Sequence, residues 1–182
     1  MAEAQGGDAM KHLATITLTA SAICLIGTSA IINKQNIRLV WNTSASVPIG
    51  LYRITAKDSL AHGDLVLIRP SERLSIFLSS RQYLPAQAML LKHIAALPGQ
   101  TICRTGNMVF VDQMPIGIAL QTDSIGRQLP VWQGCVSLST TQIFVMNPDA
   151  RDSFDGRYFG PLPRTAIIGH AIPLFTLPTS HP

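Results

Sequence analysis

Residues Leu13 to Ile32 read LATITLTASAICLIGTSAII, twenty positions without a charge, between Lys11–His12 and Lys34. A helix that spans the hydrocarbon core of a bilayer needs about twenty mostly apolar residues. This stretch therefore has the length to leave water altogether. Thr15, Thr17, Thr19, Ser21, Thr28 and Ser29 dilute it, but helical hydroxyls can bond back to a backbone carbonyl, which lowers their cost in lipid. A cleaved signal peptide and a buried core helix are the competing readings. The run is longer than a usual signal core, and it has no polar face to set toward solvent. The organisation that follows is an N-terminal stretch at 1–12, a transmembrane anchor (or uncleaved signal) at 13–33, and a separate domain at 34–182. Flanking charge gives no help with orientation. One lysine precedes the run and Lys34 plus Arg38 follow it, which does not favour an outward C-terminal domain.

Past Asn33 the pattern changes to short apolar runs broken by Gly, Pro and Asp. DLVLI (64–68), AMLLKHIAAL (88–97), QTICR (100–104), MVFVD (108–112), QIFVM (142–146) and AIIGHAIPLF (166–175) carry strand signals. TGN (105–107) reads as the turn of a hairpin. Segment 71–85 holds the expected helix, with Ser71 as N-cap, Glu72 in the first turn and Pro85 just beyond it. The 12 prolines argue against long helices elsewhere. The expected fold class is mainly β, a domain of many short strands behind one N-terminal helix.

Composition excludes several functions. Charged residues make up 13% of the chain, about half the usual share, and a lipid-buried segment accounts for part of that deficit. The net charge of +4 is scattered rather than clustered, unlike a nucleic-acid-binding face. There is no GxGxxG, no Walker loop and no HExxH, and no Cys/His set has zinc-site spacing. No metal or cofactor is called for. Cys24 sits in the apolar run, where it acts as a small hydrophobe. Cys103 and Cys135 remain as an even pair, either two buried thiols or a disulfide that would stabilise the fold by about 3–4 kcal/mol.

Two stretches could carry chemistry. Lys92 lies in Ala88-Met89-Leu90-Leu91-Lys92-His93-Ile94-Ala95-Ala96-Leu97, the most apolar flank of any lysine in the chain. Desolvation disfavours the ammonium form, so a lysine buried there could serve as a base. A serine hydroxyl needs such a base before it can act as a nucleophile. Asn42-Thr43-Ser44-Ala45-Ser46-Val47-Pro48-Ile49-Gly50-Leu51-Tyr52 supplies hydroxyls entering a Pro/Gly turn. Its Asn42-Thr43-Ser44 tripeptide also fits a glycosylation acceptor. Each stretch alone is compatible with ordinary structure: a lysine reaching solvent from a strand end, and a loop.

Together they resemble a family. Ser46-Val47-Pro48-Ile49-Gly50-Leu51-Tyr52, then Gly63-Asp64-Leu65-Val66, then Lys92 with Leu97-Pro98-Gly99, then Asp152-Ser153-Phe154-Asp155-Gly156-Arg157-Tyr158-Phe159-Gly160-Pro161 are similar to the ordered boxes of type I signal peptidases. The SxPxGLY form of the first box and the Gly117–Cys135 stretch resemble the conjugal-transfer branch, the TraF peptidases. The resemblance covers roughly 38–175. It implies a signal-peptidase-like β domain, a nucleophile at Ser46 and a general base at Lys92. It implies an oxyanion donor at Ser44, a lysine-orienting hydroxyl at Ser153, and a supporting charged pair at Asp155 and Arg157. Two departures stand out. Gln100 follows Leu-Pro-Gly where many members have Asp, and Asn147-Pro148-Asp149-Ala150-Arg151 spaces the last box differently, leaving Asp149 and Asp152 without an assigned role.

The resemblance also implies an inner-membrane, single-pass protein with its N-terminus, 1–12, in the cytoplasm and its domain in the periplasm. Its substrate would be a pilin precursor or other secreted preprotein, with conjugative transfer components as further partners. In this branch the resolving nucleophile can be the pilin's own N-terminus, giving a ring. Thirteen residues separate Asn33 from Ser46 and reach at most about 45 Å, which keeps the site near the membrane. The rival readings are a general leader peptidase, a LexA-like self-cleaving regulator, a non-catalytic pilus-assembly component, and a Ser-His-Asp hydrolase using His93 or His170. On a strand His93 points away from Lys92, so the two cannot share one site.

Overall fold

The computed structural model describes Ile16 and residues 39–178. The chain divides between Ile37 and Arg38, and the fold below is that of the second part. Among the described residues no helix is long and apolar enough to cross a membrane. The expected anchor, 13–33, lies outside them apart from Ile16, which is helical and exposed.

The domain is mainly β. Among the described residues, eleven strands form two antiparallel sheets. The larger has the order β1 (Leu39–Asn42), β2 (Gly50–Thr55), β11 (Ile167–Thr176), β3 (Leu65–Ile68), β4 (Leu90–Ala96), β9 (Gln142–Met146), β10 (Leu162–Pro163). The smaller has the order β7 (Met114–Ile118), β6 (Met108–Val111), β5 (Thr101–Thr105), β8 (Gly134–Ser137). Two short α-helices, α1 (Glu72–Ser80) and α2 (Gly156–Phe159), and one 3-10 turn at Arg164–Ala166 accompany them among the described residues.

The apolar runs become strands because both faces of the central ones are covered. In β9, Ile143 and Val145 join a core with Val66, Ile68, Leu74, Leu78, Leu90 and Ile94. Phe144 and Met146, one position out of phase, join a second core with Ile102, Val109, Val111 and Leu138. A period of two with apolar residues in both phases is what a doubly covered strand requires. Strand β4 follows the same rule. Leu90 and Ile94 enter the first core and Ala95 and Ala96 the second, after a register shift between Ile94 and Ala96. Lys92 falls on the Leu90–Ile94 face, opposite Val66 of β3.

The TGN turn closes β5 on β6 with Thr105 opposite Met108 and Gly106 at φ 59, the glycine-first form of a two-residue hairpin. Helix α1 begins as expected, Ser71 accepting from the Leu74 N–H. It stops at Ser80, short of the expected end before Pro85. Gln82 turns left-handed at φ 58, and the Tyr83 N–H returns to the Leu78 carbonyl. This places Tyr83 beside Phe77 and Phe154.

Cys103 of β5 faces Cys135 of β8, and the two are joined as a disulfide. Strand β8 is an exposed edge, so the bridge fastens the strand that burial secures least. In the chain-entropy picture, reduction is expected to cost about 3–4 kcal/mol. Urea melts with and without reductant measure this, and coincident curves would show that the bridge contributes nothing.

Candidate active site

The loop between β1 and β2 is fixed by its own side chains. Asn42 Nδ2 donates to the carbonyls of Ser44, Val47 and Pro48, and the Tyr52 hydroxyl donates to Pro48 at 2.6 Å. Gly50 lets β2 approach β11, because a Cβ there would stand 2.1 Å from the Phe175 carbonyl oxygen. Asn42, Pro48, Gly50 and Tyr52 thus hold the hydroxyls of Ser44 and Ser46, both half-buried, in one arrangement.

Lys92 reaches this loop through the core face of β4. Its Nζ lies 3.3 Å from Ser46 Oγ and 2.7 Å from Ser153 Oγ. Ser44 Oγ stands 3.2 Å from Ser46 Oγ and accepts the Ser46 N–H at 3.4 Å. Lys92 is 4% exposed and Ser153 3%. Burial pushes the Lys92 ammonium down from 10.5 to about 8, against the pull of Asp155 and Asp152 and with the help of Arg157. A lysine in that range is neutral in a useful fraction of molecules near neutral pH. Its lone pair can then accept the Ser46 proton, while Ser153 holds the amine from the other side.

Asp155 and Arg157 do not touch Ser46 or Lys92. They form a buried pair at 2.9 Å, 0% and 2% exposed. Arg157 also donates to the carbonyls of Ala150 at 2.7 Å and Ser153 at 3.2 Å. Asp155 accepts the Asn147 and Arg157 N–H groups. The pair shapes the loop that presents Ser153. Gly156 follows it, where a Cβ would meet the Phe144 ring and the Val145 carbonyl at 2.6 Å.

Several residues lie elsewhere. His93 is bonded to Asn147 on the far side of β4. His170 bonds the Ser59 carbonyl at 2.6 Å and lies 3.6 Å from Asp64. Neither contacts Ser46, which disfavours the Ser-His-Asp reading. A cavity of about 300 Å³ opens beside His62, His93, Met146 and Asp149; Ser46 and Lys92 do not line it. Asp152 is exposed and acts on Lys92 only through its charge. Asn147 and Arg104, both buried, escaped sequence reasoning. An asparagine before proline looks like any turn, and an arginine at a strand end gives no sign of donating to the Arg157 carbonyl, as Arg104 does at 2.6 Å.

A buried lysine costs stability while it is charged. Its folded pKa lies below the unfolded one, so the unfolded chain binds the extra proton between pH 8 and 10.5 and stability rises through that window. Lys92→Met is therefore expected to stabilise the protein at pH 7 by up to about 3 kcal/mol. The gain should vanish above pH 10.5. Denaturant melts at both pH values check this, and a Lys92→Met protein weaker than wild type at pH 7 would contradict it.

The family model for signal peptidase, peptidase S26, matches residues 10–175. A probable conjugal transfer protein TraF of Sinorhizobium fredii is 34% identical, over 94% of this chain and 92% of its own length. A probable signal peptidase I of Synechocystis is 32% identical, over 60% of this chain and 52% of its own length. Among solved structures, a signal peptidase I of Enterococcus faecalis is 16% identical with a TM-score of 0.37, over 64% of this chain and 98% of the other. With the family model spanning most of its length, the chain belongs to the signal peptidase family, peptidase S26.

Proposed function

We propose that the protein is a membrane-anchored serine endopeptidase that cleaves a pilin precursor or other secreted preprotein during conjugative transfer. One observation carries the catalytic part: Lys92 Nζ, buried and with its pKa lowered, lies within reach of Ser46 Oγ with Ser153 behind it. Conjugative transfer is favoured over general leader processing by the extent of similarity, 94% of the chain against 60%. The uncharged run at 13–33 and the family support the anchor, and the family supports a periplasmic place for 34–182.

In this reading neutral Lys92 takes the Ser46 proton as Oγ attacks the scissile carbonyl. The Ser46 N–H, which donates to Ser44 Oγ in the free site, and the Ser44 hydroxyl, which donates to Ser46 Oγ, both donate to the substrate oxygen as it gains charge. The tetrahedral adduct collapses, and the amine leaves with the proton from Lys92. The acyl ester on Ser46 is then resolved by water or by an amine. If the pilin's own N-terminus attacks first, the product is a ring, lighter than the linear chain by one water.

Full-length protein in detergent, given a pilin precursor, provides the test. Ser46→Ala and Lys92→Ala are each expected to lose about a thousandfold or more in rate. Ser44→Ala should lose about a hundredfold, one oxyanion donor's share. Full activity in Lys92→Ala would overturn the Ser-Lys assignment, and activity lost in Ser44→Ala but kept in Ser46→Ala would move the nucleophile. The rate should climb about tenfold per pH unit below the Lys92 midpoint of about 8 and level off above it. A profile flat from pH 6 to about 9 would contradict a lysine base.

A further inference from the structure

Strand β4 needs a partner on each edge, and beside Lys92 one edge is closed by a side chain. Backbone groups alternate along a strand. Lys92 is paired with Val66, and its neighbour Ile94 bonds the Asp64 carbonyl, so these residues direct their peptide groups toward β3. The Leu91 carbonyl and the His93 N–H therefore face the other way. Regular pairing with β9 ends at His93 and Met146. One residue further on, Asn147 turns its carboxamide onto the unpaired edge. Nδ2 donates to the Leu91 carbonyl at 3.2 Å, and Oδ1 accepts the His93 N–H at 3.1 Å. The carboxamide thus stands in for a missing peptide and satisfies both main-chain groups that flank Lys92.

The main chain of Asn147 meets the other half of the site. Its N–H donates to Asp155 Oδ2 at 3.0 Å, and its carbonyl accepts from Arg157 Nη2 at 3.4 Å. Asn147 is itself 2% exposed. One residue therefore joins the strand that carries Lys92 to the ion pair whose loop carries Ser153.

We propose that Asn147 is a positioning residue for the peptidase reaction, its carboxamide holding β4 closed beside Lys92 so that Nζ stays between Ser46 and Ser153 and away from water. This rests on the Ser46–Lys92 reading above. An unpaired strand edge admits water to its peptide groups, and water beside Lys92 would restore the ammonium form. A displacement of about 1 Å in a reacting group can cost a hundredfold in rate. The charged groups that act on Lys92 are Asp155, Arg157 and Asp152. His93 is the titratable neighbour on the opposite face of β4. The three charged groups remain when Asn147 is truncated, but His93 Nδ1 loses its 3.0 Å contact with Asn147 Oδ1, so His93→Ala runs alongside as a control, and an acid limb that moves in Asn147→Ala and not in His93→Ala reports on the closure itself.

The experiment compares full-length wild type, Asn147→Ala, His93→Ala, Leu78→Ala and Lys92→Ala in cleavage of a pilin precursor, with kcat and KM measured across pH. Leu78 is a core residue, 2% exposed, and its truncation shows what lost stability alone does. Asn147→Ala is expected to lower kcat about 10- to 100-fold with KM within about twofold. The acid limb of kcat should move up by about one pH unit. If Asn147→Ala does not fold, Asn147→Ser, which cannot span both peptides, should show the same shift in smaller measure. A limb that stays in place, with a loss no greater than that of Leu78→Ala, overturns the proposal. Lys92→Ala separates the two levels. If it is inactive while Asn147→Ala keeps the wild-type limb, only the positioning role fails. If it is fully active, the Ser-Lys reading falls and the positioning role with it.

Discussion

The buried ion pair of Asp155 with Arg157 holds the site in shape. The two side chains meet through both carboxylate oxygens, Nε to Oδ1 and Nη2 to Oδ2, each at 2.9 Å. The remaining donors of Arg157 reach the carbonyls of Asn147, Ala150, Arg151 and Ser153. Residues 147–155 are thus wound around one guanidinium, and they bring Ser153 to Lys92. A buried pair gains little net stability over an apolar substitute, because both charges lose their water. Breaking it is another matter: one uncompensated buried charge costs about 3–5 kcal/mol. The pair therefore acts on conformation more than on total stability. It restricts the loop to the one form in which every donor finds an oxygen. Arg104 of β5 and Trp132, in the loop before β8, brace it, donating to the Arg157 and Gly156 carbonyls.

That loop matters because of where Lys92 sits. Leu90 and Ile94, two residues to either side, belong to the main core, and a leucine or isoleucine would fill the position at no electrostatic cost. The chain instead places an amine there, with two serine hydroxyls as its polar neighbours. The same burial that weakens the fold lowers the lysine toward a working pKa. Stability and chemistry pull against each other at this residue, as is common where a group's ionisation is tuned by desolvation.

The central strands were legible because their chemistry is local. Leu65–Ile68, Leu90–Ala96 and Gln142–Met146 are apolar in both phases, and only a covered strand tolerates that. Elements at or near the sheet edges were harder to read. Strand β7 follows a two-residue turn at Asp112 and Gln113, both with positive φ (47 and 69) and neither a glycine. The turn is held by Asp112 accepting from Thr101 N–H and Gln100 Nε2, contacts that exist only after folding. Strand β2 was hidden inside the Pro/Gly stretch, and β8 is exposed throughout. In the site, the apolar flank of Lys92 marks it as a candidate base, but only the order of the boxes singles out Ser46, Ser44 and Ser153 and ties them to it. The structure brings these four together. It sets Asp155 and Arg157 behind them as support, and it reveals Asn147, whose part depends on a strand edge that no local pattern encodes.

The central claim is that Lys92 is neutral often enough, near neutral pH, to take a proton from Ser46. Its protonation can be observed directly by NMR titration of lysine-labelled protein, with the Lys92 signal assigned by its absence from Lys92→Met. The account predicts a midpoint near 8. A midpoint at the ordinary lysine value of 10.5 would leave Ser46 without its base and contradict the account.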